Sequence, residues 1–324
     1  MKRWAQKYTG FLRNLRITYW LYNFFNRNRL QKNKKLYKSL GVEKTIWQSI
    51  SHADIKKSST DIPWMDTENI TGESIRNHPS FNQFDKEIQE QLLLWPQRGY
   101  LIIPHFFVDR VDLIDAEIER LKVESKVDFN FTGKKIMDAW QNSDVINEAF
   151  RDKKLLSIFE FIFQKKVIPF QTINFFYGSE QKPHSDSIHM TTEPLGYLVA
   201  VWIALEDIHS NSGELFYYPG SHKLNYILSE NYNTGNNNLI IGGHNYDNYE
   251  RRIGKLIAEH GLQPVYFHPQ KGDILIWHAN LLHGGSTIQD PSLTRKSMVA
   301  HYYADGVLCY HEISQRPAII KAIQ

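Results

Sequence analysis

Acidic residues are missing from the first 40 positions of this 324-residue chain, although it holds 35 Asp and Glu in all. Cysteine occurs once, at Cys309, which excludes an intrachain disulfide framework and a thiolate metal cluster. A reducing, cytoplasmic compartment is the expectation that follows. Long apolar runs are lacking too. The longest uncharged stretch of the basic N-terminus, Ile17 to Asn26, falls short of the roughly 20 residues a membrane-spanning helix needs. No small-residue cleavage site follows it, so a secretory leader is not expected. There is no internal repeat.

What is present is unevenly spread. Residues 1–40 carry 11 of the 38 Lys and Arg, which leaves 27 basic against 35 acidic residues beyond them. The main body is thus mildly acidic, and no nucleic-acid partner is expected. In residues 1–40 the cations Lys2, Arg3, Arg13, Arg16, Arg27 and Arg29 interleave with Trp4, Phe11, Trp20, Tyr22, Phe24 and Phe25. Such a segment suits a helix lying at a membrane interface, rings at headgroup level and cations against anionic lipid. It equally suits a helix packed on the rest of the protein with its charges solvated. The first reading makes the protein peripheral at the inner membrane surface. Oligomeric state is not legible.

Residues 51–82 are polar, with Pro63 and Pro79, and read as a linker or draped loop. Residues 1–90 are therefore expected to form a helical extension and linker, and 91–324 the main domain. Helices are predicted near Gln83–Leu94, Asp109–Glu124 and Lys153–Phe163, with a short buried strand at Gly99–Pro104. From Val167 onward the pattern turns strand-like. Candidates are Val167–Tyr177, Gly196–Leu205, Glu214–Tyr218, Pro264–His268, Asp273–His278 and Lys296–Tyr303, separated by turn-rich pieces. The fold class expected is mainly β with flanking helices, a sandwich or barrel. An insertion at about 222–262 interrupts it, with an Asn-rich tract at Asn231–Asn238 and helical character over Asp247–His260. Insertions of this kind in β-barrels often become lids or substrate loops.

Pro183-His184-Ser185-Asp186-Ser187 contains a His-x-Asp pair. On a strand, residues i and i+2 share a face, so His184 and Asp186 would offer an imidazole nitrogen and a carboxylate oxygen to one point. His283, 99 residues later in Leu281-Leu282-His283-Gly284-Gly285-Ser286, supplies a third ligand. Two histidines and one carboxylate on one face are the donor set of a non-haem ferrous centre with open positions. The pair alone is weak: the chain has 14 histidines, and His189, His209 and His278 are read as surface or hydrogen-bonded core residues. Arg295, 12 residues after His283, adds weight. Asp290-Pro291-Ser292 can reverse the chain, and a hairpin would bring Arg295 beside His283, with Ser297 on Arg295's face. A guanidinium plus a hydroxyl is a receptor for a carboxylate, such as the far end of a dicarboxylic oxoacid chelating the metal.

From about Gly99 to Tyr303 the chain resembles the phytanoyl-CoA dioxygenase family of Fe(II)/2-oxoglutarate oxygenases. The matching blocks are Gly99–Phe106, Gln171–Phe175, Trp202–Asp207, Asn211–Leu215, Pro219–Lys223 and Lys271–Asp273, the last preceding Trp277, His278, His283 and Arg295. The resemblance implies a double-stranded β-helix (jelly-roll, cupin-like) core with Fe(II), 2-oxoglutarate and O2. It makes His184, Asp186 and His283 the metal ligands and Arg295 the partner of the distal carboxylate, with Ser297 assisting. Asn174 and Trp202 match positions lining the cosubstrate pocket. Asp186 stands where the related halogenases have a small residue, so the implied outcome is hydroxylation, of a small-molecule, lipid or glycan-precursor substrate. Rival readings are a cupin-like isomerase using another divalent metal and a non-catalytic, membrane-associated carbohydrate-binding jelly roll.

Overall fold

The structure, a computed structural model, describes residues 15–320 apart from 58, 131 and 233–244. Most of the Asn-rich tract and the first 14 residues lie outside that range. Twelve strands are described: β1 Tyr100–Ile103, β2 Ile136–Met137, β3 Val167–Phe175, β4 Thr191–Glu193, β5 Leu198–Ala204 and β6 Leu215–Tyr217, then β7 Val265–Phe267, β8 Ile274–His278, β9 His283–Gly285, β10 Ser297–Ala304, β11 Leu308–His311 and β12 Arg316–Pro317. The helices used below are α1 Arg16–Phe25, α2 Asn33–Ser39, α3 Lys86–Arg98, α4 Val111–Val123, α5 Asp144–Phe150, α6 Lys153–Phe163 and α7 Asn245–Glu259.

A six-stranded sheet runs β1-β8-β5-β10-β3-β2, every neighbouring pair antiparallel. A three-stranded sheet, β7-β6-β9, faces it, and a second, β12-β11-β4, flanks it. From β5 onward the chain passes back and forth between the two facing sheets. β5 is buried at every position, and its sequence shows why: an unbroken apolar run belongs to a strand covered on both sides. On the inner face Trp202, Leu275, Trp277 and Val299 meet Leu215, Tyr217 and Phe267 of the smaller sheet. On the outer face Val199, Val201, Ile203, Ile276 and Met298 pack against helices.

Those helices follow from apolar spacing. α3 buries Ile88, Leu92 and Trp95, then stops at Gly99, whose left-handed φ of 73° turns the chain directly into β1. α4 buries Val111, Ile114, Ile118 and Leu121, and α6 is capped by Asp152, whose carboxylate accepts the N–H of Leu155 at 2.9 Å. Helices hold more of the described chain than strands do, which shifts the expected balance: one face of the large sheet is roofed by them.

Two other expectations change. Residues 51–82 do not drape loosely, because Met65, Ile75 and Phe81 are buried in the same core as the sheet; their irregular spacing hid them from a periodicity reading. The hairpin expected between His283 and Arg295 does not form. β9 pairs with β6, whereas β10 lies between β3 and β5, so residues 286–296 cross from one sheet to the other. α2 and the segments on either side of it pack through Leu30, Tyr37, Leu40 and Ile50 onto Leu308 and Tyr310 of β11.

Candidate metal centre

His184, Asp186 and His283 are all buried, and their ligand atoms lie within 4.8 Å of one another. Among the described residues no other trio of His, Cys, Asp or Glu converges in this way. The backbone that achieves it differs from the strand expected. His184 forms a single antiparallel bridge with His283, each accepting the other's N–H at 2.9 Å, and Asp186 opens a one-turn 3₁₀ helix, Asp186–Ile188. The bridge therefore sets one imidazole against the other, and the turn swings the carboxylate in beneath them. Gly284 and Gly285 permit the close approach. A Cβ at Gly284 would sit 2.5 Å from the Phe216 ring, and one at Gly285 2.5 Å from the Ser179 hydroxyl.

Proton placement suits a cation. His184 Nδ1 lies 2.8 Å from the Lys182 carbonyl oxygen and His283 Nδ1 2.9 Å from that of Leu281. Each Nδ1–H donates to a carbonyl, which leaves each Nε2 to present a lone pair, that of His184 facing the Gln181 amide. Burial, then the neighbouring His283 and His189, hold His184 well below its usual range, so it is neutral. For Asp186 burial alone would favour the protonated acid, but His283, His301 and His184 outweigh it and hold the carboxyl well below the ordinary range. Its Oδ2 accepts the indole N–H of Trp277 at 2.7 Å, and its Oδ1 is 3.6 Å from His283 Nε2. Two imidazoles and one ionised carboxylate form a donor set that fits a divalent metal with positions to spare.

Beside it lies a second unfilled requirement. Arg295 is 2% exposed, yet its side chain makes no hydrogen bond or ion pair among the described residues, and Nε is buried without a partner. Its guanidinium carbon is 5.4 Å from the ring centre of Phe175 and 5.8 Å from that of Trp202. Burial pushes its pKa down to about 10, with Glu214 partly opposing; it remains a cation at neutral pH. The indole N–H of Trp202 is also unpartnered. Register puts Ser297, Val299 and His301 opposite Phe175, Trp202 and Ala200, so Ser297 shares the inner face with Trp202. The structure thus brings Arg295, Ser297 and Trp202 together. Asn174 is a correction. It pairs with Met298, and the pleat turns it to the opposite, helix-covered face; its buried amide has no partner there.

Several residues of the site were not anticipated. His301 Nε2 is 3.6 Å from Asp186 Oδ2; alternation along β10, four positions beyond Ser297, could have identified it. Lys135 lies next to Asp186 and Arg295, its pKa lowered chiefly by burial, with Nζ 3.3 Å from Gln181 Oε1. No local pattern marks it, since it precedes a two-residue strand. The Gln181 amide is 3.0 Å from His184 Nε2. His189 stacks on Tyr246 with ring centres 5.9 Å apart, and burial, then His311 and Lys135, push it down to about 3. Tyr246 comes from α7, as does Tyr249, whose hydroxyl accepts the Ser185 N–H at 2.9 Å. The inserted helix is thus a wall of the site. His209 is exposed, and His278 points to the other side of β8, 3.1 Å from Asp66.

Comparison with known proteins agrees with this geometry. A sequence profile of the phytanoyl-CoA dioxygenase family (PhyH) matches residues 95–297. Phytanoyl-CoA dioxygenase domain-containing protein 1 of Bos taurus is 48% identical over 46 residues, and that of Danio rerio 47% over 45; each match spans 14% of this chain and only 16% of the relative. Among solved structures, the non-haem, α-ketoglutarate-dependent carbocyclase SnoK from nogalamycin biosynthesis is similar with a TM-score of 0.55 at 15% identity, over 70% of this chain and 87% of that one. The epimerase SnoN, in complex with Fe3+, α-ketoglutarate and nogalamycin RO, reaches 0.53 at 17% identity, over 68% and 85%. At such identities the structural likeness speaks for the fold. The profile, spanning more than half the chain and holding His184, Asp186, His283 and Arg295 in order, speaks for descent, and the chain belongs to the phytanoyl-CoA dioxygenase family.

Proposed function

We propose that this protein is an Fe(II)- and 2-oxoglutarate-dependent oxygenase that hydroxylates a C–H bond of a small-molecule, lipid or glycan-precursor substrate, releasing succinate and CO2. The observation that carries the reading is the buried, unpaired Arg295 beside a converged His-Asp-His trio. We further read the facing sheets as the halves of a double-stranded β-helix, since from β5 to β10 the chain crosses between them four times, β6 and β7 lying together in the smaller one.

His184, Asp186 and His283 would hold the iron. Ferrous iron with 2-oxoglutarate supplies O2 activation coupled to oxidative decarboxylation. Arg295 supplies a permanent charge for the distal carboxylate of the cosubstrate, and the Ser297 hydroxyl lies on the same face to assist. Lys135, which shares the field of Asp186 and Arg295, would add an amine donor to the same pocket. Trp277 fixes the carboxylate of Asp186 by its hydrogen bond, and the carbonyls of Lys182 and Leu281 fix the imidazole tautomers. Phe175, Trp202 and Trp277 line the inner face and keep water away. Asp186 fills the position that a halogenase leaves open for chloride, which favours hydroxylation. A cupin-like isomerase or a carbohydrate-binding jelly roll has no use for an unpaired buried guanidinium, so neither is preferred.

The test is succinate release and O2 uptake by the Fe(II)-loaded full-length chain, screened over candidate substrates. His184→Ala and Asp186→Ala should each lower 2-oxoglutarate turnover by about 10³-fold or more, a barrier increase near 4 kcal/mol, with unchanged circular dichroism. Full activity in both variants would remove the ligand assignment.

A further inference from the structure

We infer that α1 is a membrane contact, which seats the protein on the surface of an anionic phospholipid bilayer. A helix on a water-soluble protein ordinarily turns its apolar stripe inward and its polar face out. α1 is inverted. Its inward position Asn23 is fully buried, with its amide donating to the Trp47 carbonyl at 3.2 Å. Ile17, Leu21 and Phe25, spaced by one helical turn, are 55, 43 and 77% exposed, and Trp20 and Tyr22 beside them are 40 and 47% exposed. The outward arc of the helix carries no charge at all.

Charge identifies the occupant. Arg27, Arg29, Lys34, Lys35 and Lys38 follow α1, all exposed and without ion pairs among the described residues. The first acidic residue of the chain is Glu43. An apolar stripe bordered by interface-seeking rings and by unopposed cations complements an anionic lipid surface, with the helix lying flat. No helix among the described residues is long and apolar enough to cross a membrane. Docking of the same face on a second copy would press two basic segments together, which like-charge repulsion opposes. α1 is also tied to the body of the protein, through Phe24 against Trp47 at 5.9 Å and Arg316 over Tyr19 at 5.8 Å, so a lipid contact there would hold the whole molecule. The inference does not rest on the metal centre.

Flotation of the full-length chain with vesicles of phosphatidylcholine, with and without phosphatidylglycerol, tests it. The protein should float with the anionic vesicles, and at least about tenfold less with neutral ones or at about 1 M salt, where screening shortens to ~3 Å. The triple variant Ile17→Ser, Leu21→Ser, Phe25→Ser should lose about tenfold or more of that binding with an unchanged melting temperature, because these side chains are exposed. Should that variant fold poorly, Arg27→Gln, Arg29→Gln, Lys34→Gln, Lys35→Gln should abolish the preference for anionic lipid. Wild-type protein that ignores both vesicles, or a folded triple variant that binds undiminished, overturns the proposal. So does a wild-type dimer that the triple variant dissolves, which would assign the face to a second copy.

Discussion

Arg295 is 2% exposed and Phe25 77%, and each is on the wrong side of the protein surface for its chemistry. Around the metal centre, the Arg295 Nε and the Trp202 indole N–H are buried without hydrogen-bond partners. On α1, five large apolar or aromatic side chains face outward above a buried asparagine. Leaving a buried polar group unsatisfied costs about 1–3 kcal/mol, and more for a charge. Exposing apolar area forgoes roughly 25 cal/mol per Å². The two regions differ in what would relieve the cost. Inside, the missing partner must be small, anionic and able to enter a packed interior. Outside, it must be extended, apolar and bordered by negative charge. The first describes a carboxylate cosubstrate and the second a lipid surface.

Replacing Arg295 by Met should break the interior half of that comparison most sharply. Loss of one partner of a buried charge pair costs about 2–5 kcal/mol in binding, so the KM for 2-oxoglutarate should rise by about 30-fold to several thousandfold. Stability of the ligand-free protein should hold or rise by about 1–4 kcal/mol, because an uncompensated buried cation is gone. Titration of turnover against 2-oxoglutarate, paired with urea unfolding, reads both. A variant that is less stable with unaltered KM would make Arg295 an ordinary structural residue.

Trp277→Phe is the next test. It keeps a ring beside His283 and deletes only the N–H donated to Asp186. Metal affinity should fall about 10–100-fold, measured by competition with a chelator, and an unchanged affinity would free Asp186 from that restraint.

The smallest effect is expected at a buried polar cluster on the other side of β8 from the His-Asp-His trio. His278 is 3.1 Å from Asp66, and His222 lies against His278 with ring centres 5.5 Å apart. Burial, then His278, push His222 down to about 3. A histidine whose folded pKa is depressed costs nothing above its unfolded value of about 6.5. As the pH falls from there towards 3, the unfolded chain takes up a proton that the native one refuses, and stability is lost. About 2 kcal/mol should go between pH 7 and pH 5, and His222→Gln should flatten that limb in urea titrations. An equally steep limb in the variant would exclude His222 as its source.

Legibility followed periodicity. β3, β5, β8 and β10 were readable to within a few residues, because each is a long apolar or alternating run between turns. β1, β6 and β7 were readable despite their three or four residues, but β4, β9, β11 and β12 were not, and yet β9 holds His283 and β11 bears the packing of the N-terminal segment. The ligand trio was legible from residue type and family blocks, although the strand geometry imagined for it was replaced by a bridge and a turn. Arg295 reaches the inner side of the sheet by another connection than the hairpin expected. Asn174 failed on a difference of one residue, which in a pleated strand is a difference of face.

Composition and local pattern by themselves determined the charge asymmetry and the main elements, because these depend on residue type and short-range spacing. Only the folded chain decided that Lys135, Gln181, His301 and Tyr246 join the site and that α1 turns its apolar side outward. Those outcomes depend on which strands pair, in what register, and on which side of a helix the rest of the protein happens to lie. No neighbourhood in the sequence encodes them.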